Sequence, residues 1–358
     1  MAEGGAKKKI LVVGQGISGT MLSWFFEQRQ IDCIVIDNNQ QQTPSNTAAG
    51  LINPVTGRRV VTVWMDEQIL PFAEQTYQQM GKFLNVPVLD KTSITDFFPN
   101  PFMRESFIKK LQQKAPYIKL EKDEGRFPSY FNYEFGIGTI SPAYIVHLQS
   151  LLPAWRQYLE SKQRLLNENL DRSALTVAAD KIIYKDIEAD KIIFCDGVEG
   201  AENPYFSLLP FALNKGEALI IEAKDLPPNH IYKKSMMLVP FKEPSFFWTG
   251  TNYIWDFEDA APTASFRENS EQVLKSWLKV PFKIVDHKAA LRPATIERRP
   301  FVGFHPIHKN VGILNGMGTK GCSLAPYFAS QLTDHILQQA AIESEADIAR
   351  HARLLTRP

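Results

Sequence analysis

Ile10-Leu11-Val12-Val13-Gly14-Gln15-Gly16-Ile17-Ser18-Gly19 decides the fold. Its first four residues form a continuous apolar run, the pattern of a strand buried on both faces in a parallel sheet. The run passes directly into Gly14-x-Gly16-x-x-Gly19, after which Met21, Leu22, Phe25 and Phe26 give an apolar face at helical spacing. A second apolar run, Cys33-Ile34-Val35-Ile36, ends at Asp37. Strand, glycine turn, helix, strand and acid together fill about 30 residues, the length of one βαβ unit. Here the first glycine permits the tight turn, the second lets backbone approach a pyrophosphate, and the third lets helix and strand pack closely. The helix N-terminus turns its N–H groups and positive dipole end toward the phosphates. Asp37 is suited to accept hydrogen bonds from ribose hydroxyls, and its charge disfavours a 2′-phosphate. The segment reads as a dinucleotide-binding entry, with Gly14, Gly16, Ser18, Gly19 and Asp37 as candidate ligands.

The chain around this entry has 358 residues, long for one core and short for three, so two lobes are expected. Hydrophobic residues make up 44% and charged residues 22%, which excludes disordered, collagen-like and coiled-coil chains. The formal charge of +1 gives no sign of a polyanion-binding face over the whole molecule. Cys33, Cys195 and Cys322 are scattered, without a C-x-x-C pair, which fits a reducing compartment and argues against a disulfide scaffold or a cysteine zinc site. His305 and His308 are the one close histidine pair; no third ligand accompanies them, so they read as a surface loop and no metal is expected. Residues 1–9 lead into an apolar run too short for a signal peptide, and no window approaches the roughly 18 apolar residues of a membrane helix. A cytoplasmic protein without membrane contact is expected.

Further along, residues 89–133 are rich in Phe, Pro, Lys and Tyr without clean periodicity. Gly136-Ile137-Gly138-Thr139-Ile140-Ser141-Pro142 reads as a turn or loop. Tyr144, Ile145, Leu148, Leu151 and Leu152 then suggest a helix, bent or ended by Pro153. Lys191-Ile192-Ile193-Phe194-Cys195 reads as another buried strand before Asp196-Gly197. Between Lys215 and Ala290 the pattern turns strand-like, clearest at Ala218–Ile221 and Phe246–Thr249. The last segment returns to nucleotide-domain character: Val311-Gly312-Ile313-Leu314, a second glycine cluster, then a stripe of Ala325, Phe328, Ala329, Leu332 and Ile336, read as core packing.

That second cluster, Asn315-Gly316-Met317-Gly318-Thr319-Lys320-Gly321, again separates an apolar strand from a helix. Two such turns far apart in sequence suggest one long ligand touched at both ends, and a flavin dinucleotide fits. Backbone N–H groups at a helix start stabilise the negative charge that a reduced flavin carries near N1 and its C2 carbonyl, and Lys320 is positioned to add a positive charge. The plainer alternative is a glycine entry to a C-terminal helix with a solvated lysine. Asn46-Thr47-Ala48-Ala49-Gly50-Leu51-Ile52-Asn53-Pro54 offers small, amide and hydroxyl side chains that let a chain lie against a cofactor; an ordinary loop has the same composition. Arg58 and Arg59 read equally as phosphate or substrate contacts and as a solvated pair.

Taken together, these residues resemble the FAD-dependent oxidoreductases of the D-amino-acid oxidase and glycine oxidase group, in order along nearly the whole chain. Gly14 to Gly19 with Asp37 resembles that family's FAD-binding entry, and Asn46 to Leu51 its small-residue segment beside the flavin. Gly138 to Pro142 is similar to its return into the nucleotide domain, and Phe194-Cys195-Asp196-Gly197 falls where Ala-Thr-Gly is usual. Lys215-Gly216-Glu217 resembles the Arg-Gly-Gln strand that opens the substrate lobe. Leu291-Arg292-Pro293 with Pro300 to Gly303 is similar to the substrate-arginine segment, and Gly316, Gly318, Thr319, Lys320 and Gly321 complete the match. Four departures stand out. Asp37 replaces a glutamate, Asp196 a small neutral residue and Glu297 a common aspartate, while Tyr253 is only a candidate for the family's substrate-side tyrosine.

The resemblance implies an α/β fold: a Rossmann-like FAD-binding domain (residues 1–88, 139–212 and 291–358) with an inserted, mainly antiparallel β substrate domain (residues 89–138 and 213–290). It implies non-covalent FAD held across the lobes, hydride removal from a carbon bearing an amine, and Arg292 and Lys320 as catalytic candidates. A guanidinium binds a carboxylate through two parallel charge-assisted hydrogen bonds, which suits Arg292 to that task; a structural ion pair is its alternative. Gly197 joins the cofactor-binding candidates. Two other functions are compatible with the same residues: an oxidase acting on a modified wobble uridine of transfer RNA, disfavoured by the near-zero net charge, and a flavin-binding protein without turnover. A plain nicotinamide dehydrogenase leaves the second glycine cluster unexplained.

Overall fold

A computed structural model describes residues 9–357 and divides into two compact units. The N-terminal residues 1–8, read above against a signal peptide, lie outside the described residues. Among the described residues no helix is long and apolar enough to cross a membrane, and no cluster of three metal-ligating side chains occurs.

Among the described residues, the first unit comprises 9–45, 150–214 and 291–357. Its six-stranded sheet runs Phe301–Phe304, Val311–Asn315, Lys191–Phe194, Lys9–Val13, Asp32–Ile36, Leu165–Leu166. Every pair is parallel except the antiparallel edge Phe301–Phe304. The central strands are apolar apart from end residues such as Lys9, Asp32, Lys191 and Asn315, because both faces are covered. On one face lie the helices Ile17–Gln28 and Gly321–Gln338. The expected stripe of Ala325, Phe328, Ala329, Leu332 and Ile336 is buried there. On the other face Leu11, Val13, Ile192, Phe194 and Ile313 join Ile182 and Tyr184 of a three-stranded meander in one core.

The second unit comprises residues 46–149 and 215–290. In its nine-stranded sheet the pairs with a described register are antiparallel, except that Ile231–Lys233 pairs in parallel with Leu89–Phe97. Alternate residues feed two cores. Ile94, Ile140, Ile220 and Trp248 lie on one face, and Phe97, Ile137, Leu219 and Phe247 on the other, against Leu274 and Trp277 of the helix Ala264–Trp277.

Two expectations require correction. Gly136 to Pro142 is not a loop, because Ile137–Val146 is one ten-residue strand. Tyr144 and Ile145 end that strand, and the helix begins only at Leu148 and continues through Pro153 to Ser161. Its side chains feed both cores of the sheet, Ile140, Ala143 and Ile145 one and Ile137 the other, so it lacks the polar alternation of a half-buried strand. The second unit takes in residues 46–88 and 139–149 along with 89–138 and 215–290.

Candidate cofactor and substrate site

In the first unit four parallel strands end side by side at Val13, Ile36, Phe194 and Asn315. Gly14, Asp37, Cys195–Gly197 and Gly316 continue them, so the candidates separated by some 300 positions in sequence meet at one sheet edge, where ligands of open α/β sheets bind. Gly14 has φ +94°, and a Cβ there would sit 2.5 Å from the carbonyl oxygen of Cys195. A Cβ on Gly19 would overlap the carbonyl oxygen of Gly14. These two glycines serve the turn and the helix–strand approach. Gly16 is different: a Cβ there would meet only Ser45 Oγ, at 3.2 Å, and otherwise open space. Ser18 is buried in the first helical turn.

Asp37 is fixed by the same turn. Its Oδ2 accepts from the backbone N–H of Gln15 at 2.8 Å, and its Oδ1 from the N–H of Asn39 at 2.8 Å and from Arg156 Nη1 at 2.7 Å. Ser45 Oγ accepts from the N–H of Ile17 at 3.0 Å, occupying one of the donors at the helix start. Neither Arg156 nor Ser45 was singled out from the sequence. Ser45 lies one residue before the segment that was, while Arg156 sits on a helix 119 positions from Asp37, a pairing that no local pattern announces.

The second turn is tied to the strand end beside it. Asn315 Nδ2 donates to Asp196 Oδ1 at 2.9 Å and to the carbonyl of Gly197 at 2.8 Å, and Asn315 Oδ1 accepts from the N–H of Gly316 at 2.7 Å. The other Asp196 oxygen accepts from Asn203 Nδ2 at 2.9 Å. Burial pushes the Asp196 carboxyl up to about 6, Glu199 adds to the rise, and the two amides oppose it. Gly197 (φ +59°) has no atom within 4 Å of a built Cβ, and Gly318 (φ +55°) none nearer than 3.6 Å. Gly321 packs on Ile17, the Cβ position 3.0 Å from Ile17 Cγ2, which brings the two glycine clusters together. Thr319 is exposed and Lys320 half-buried at the start of the helix Gly321–Gln338. Burial, followed by the charges of Arg299 and Arg298, holds the Lys320 ammonium below its ordinary range.

Arg292 closes the strand Lys283–Arg292, is half-buried, and donates through Nη1 to Asn214 Oδ1 at 2.9 Å. The carbonyl of the next residue, Pro293, accepts from the N–H of Gly318 at 3.1 Å, so Arg292 is anchored beside the second cluster. Glu297 instead pairs with Arg350 at 3.2 Å, on the surface.

Asn46, Thr47, Ala48, Ala49, Gly50 and Leu51 belong to the second unit. The Thr47 carbonyl accepts from Trp248 Nε1 at 2.8 Å, Leu51 pairs with Ile145, and Gly50 (φ +75°) lies so close to Val146 that a Cβ would overlap the carbonyl oxygen of that residue. In that unit Glu217, fully buried, accepts from Asn252, from the backbone and hydroxyl of Thr263, and contacts His287 Nε2 at 3.1 Å. Tyr253 is 54% exposed in the loop that follows. Arg58 and Arg59 are exposed in the hairpin between Val55–Thr56 and Val61–Thr62. The His305–His308 turn lies in the first unit. His305 there is buried and accepts from the N–H groups of Ile307 and His308, a structural use that holds its ring down to about 4 through burial.

These features fit a dinucleotide of the FAD kind. Three glycines, Gly16, Gly197 and Gly318, leave open surface where packing demands no small residue, and helix-start N–H groups and the Asp37 carboxylate are the donor and acceptor set that a pyrophosphate and a ribose require. The family model described as FAD dependent oxidoreductase matches residues 9–335. Glycine oxidase from Bacillus cereus ATCC 14579 superposes with a TM-score of 0.79 at 15% identity, over 94% of this chain and 96% of that one. Iminodiacetate oxidase (IdaA) from Chelativorans sp. BNC1 superposes with 0.74 at 16% identity, over 96% and 98%. L-proline dehydrogenase from P. horikoshii gives 0.75 at 15% identity, over 97% and 98%. At these identities the likeness is one of fold, while the family match spans most of the chain. The chain belongs to the FAD-dependent oxidoreductase (DAO) family.

Proposed function

We propose that this enzyme oxidises the carbon–nitrogen bond of a small amine or amino acid bearing a carboxylate, with FAD held non-covalently. The observation that carries the reading is Arg292, a half-buried guanidinium anchored by Asn214 and set directly before the residue that receives Gly318 N–H. Glycine, iminodiacetate and L-proline, the compounds for which three proteins of this fold are named, all combine an amine with a carboxylate.

When bound, FAD supplies the acceptor for a hydride from the carbon that carries the amine. The chain's own residues do the rest. The first-turn N–H groups beside Gly16 and Ser18, with Gly14 and Gly19 shaping the turn, hold the pyrophosphate, and Asp37 holds the ribose. Gly197 leaves room for the cofactor to pass. The N–H groups from Gly316 to Gly321 and the Lys320 ammonium favour negative charge at their end of the cofactor. Arg292 grips the substrate carboxylate and so fixes which carbon is presented. A substrate amine that binds neutral leaves its lone pair to become the C=N bond as the hydride departs, and water then hydrolyses the imine to a carbonyl compound and free amine.

The test is product stoichiometry. Turnover of an acyclic substrate amino acid is expected to release one oxo-acid and one ammonia or amine per substrate consumed. Consumption of such a substrate with neither an imine nor its hydrolysis products formed would refute the reaction class. The three cysteines are buried free thiols, which suits a reducing compartment, and we place the protein in the cytoplasm.

A further inference from the structure

We propose that Arg156 is a positioning residue for Asp37 and leaves that carboxylate able to grip only one of the two ribose hydroxyls. The proposal rests on the assignment of Asp37 to the ribose. A carboxylate offers about four acceptor positions. On Asp37, Oδ1 receives two donors, the N–H of Asn39 at 2.8 Å and Arg156 Nη1 at 2.7 Å, while Oδ2 receives one, the N–H of Gln15 at 2.8 Å. One position on Oδ2 remains, so a single hydroxyl takes the charge-assisted hydrogen bond.

Arg156 is built for this. It is 7% exposed, and its guanidinium is satisfied around the same carboxylate. Nη1 also reaches Gln15 Oε1 at 3.3 Å, Nη2 donates to the Asp37 carbonyl at 3.1 Å and to Asn167 Oδ1 at 2.9 Å, and Nε faces Glu160 at 3.5 Å. Gln15, in the middle of the glycine fingerprint, donates through Nε2 to Thr20 Oγ1 and the Leu152 carbonyl. Arg156 therefore links the glycine turn, the acid and the helix Leu148–Ser161, and together with the N–H groups of Gln15 and Asn39 it fixes both position and rotation of the Asp37 carboxylate.

The probes are ADP, 2′-deoxy-ADP and 3′-deoxy-ADP, titrated calorimetrically into the full-length chain stripped of flavin. In the wild type one analogue is expected to bind within about twofold of ADP and the other about tenfold more weakly, the loss of one hydrogen bond to a charged group. In Arg156→Met the asymmetry disappears. Arg156→Lys, which keeps a positive charge beside Oδ1, retains it with weaker ADP binding overall. Equal weakening by both analogues in the wild type, or equal binding of all three probes, overturns the proposal, and so does an asymmetry that survives in Arg156→Met. The wild-type comparison decides even if that variant does not fold. Asp37→Ala separates the underlying assignment: unchanged ADP affinity there removes Asp37 from the ribose site altogether, whereas a loss of affinity with symmetric analogues overturns only the role of Arg156.

Discussion

Asn315 ends one strand, Asp196 lies two residues past the end of the parallel strand beside it, and the two are joined at 2.9 Å, Nδ2 to Oδ1, so that one side-chain amide couples the two turns. Asn315 is 2% exposed and also serves the Gly197 carbonyl and the Gly316 N–H. Asn315→Ala is expected to cost about 2–3 kcal/mol, since buried partners are left unsatisfied. It should also lower the fraction of purified protein that retains flavin. Denaturant unfolding and the visible-to-ultraviolet absorbance ratio measure the two effects. Wild-type values for both would show that the turn does not depend on this amide.

Asp196 carries a pH dependence of definite sign. With its folded value raised to about 6 by burial, the folded chain binds a proton there more tightly than the unfolded chain does. The stability it contributes is complete below the ordinary carboxylate range near 4 and is lost as pH rises through about 6. The melting temperature of Asp196→Asn should therefore change less than that of the wild type between those limits, whatever its absolute value. Parallel slopes in the two proteins would assign the dependence to another group.

Gly19 of the first turn and Gly57, in the hairpin between Val55–Thr56 and Val61–Thr62, are expected to differ in tolerance. Gly19→Ala drives a methyl into the Gly14 carbonyl, a backbone atom that cannot yield, and should give insoluble or colourless protein. Gly57→Ala, at φ +74° with no atom within 4 Å of a built Cβ, should cost only about 1 kcal/mol and leave flavin content unchanged. Comparison of soluble yield and bound flavin decides; a yellow, soluble Gly19→Ala protein would contradict the assigned packing.

Glu217 is the hub of the second unit, with no exposed surface and partners in Asn252, Thr263 and His287. Glu217→Ala should destabilise the chain by about 3 kcal/mol or more, and Glu217→Gln by less, because the amide keeps one acceptor. Chemical denaturation tests the order. A destabilisation under about 1 kcal/mol for the alanine variant would be at odds with the network.

Removal of the Arg292 guanidinium should act on substrate and spare the cofactor. Arg292→Ala is expected to lower kcat/KM for a carboxylate substrate by about 10²–10³, with Arg292→Lys between the two because an ammonium cannot fork. Flavin content should be unchanged in both. Equal effects on amines with and without a carboxylate would leave Arg292 as a structural residue.

Much of this was legible in sequence because it is local. Ile10 to Asp37 contains strand, turn, helix and acid in one short stretch, and Val311 to Ile336 repeats the signal, so the parallel sheet and its glycine edge follow from residue order. What escaped was long-range. Ile137–Val146 is a central strand buried on both faces, so its apolar run lacks the period that distinguishes strand from helix, and its glycines and Pro142 suggested a break. Arg156, Ser45 and the Asn203–Asp196–Asn315 chain are hydrogen-bond partners across up to 119 positions, and an arginine on a helix carries no mark of the carboxylate it will meet.

The central claim is that FAD on this chain accepts a hydride from an amine-bearing carbon. Anaerobic visible spectroscopy of the flavin-loaded protein against a panel of amino acids and N-alkyl glycines tests it most directly. Bleaching of the oxidised flavin band by at least one member, without an added reductant, is the result predicted. A band that stays oxidised with every amine offered, in protein whose flavin is reduced normally by dithionite, would contradict it.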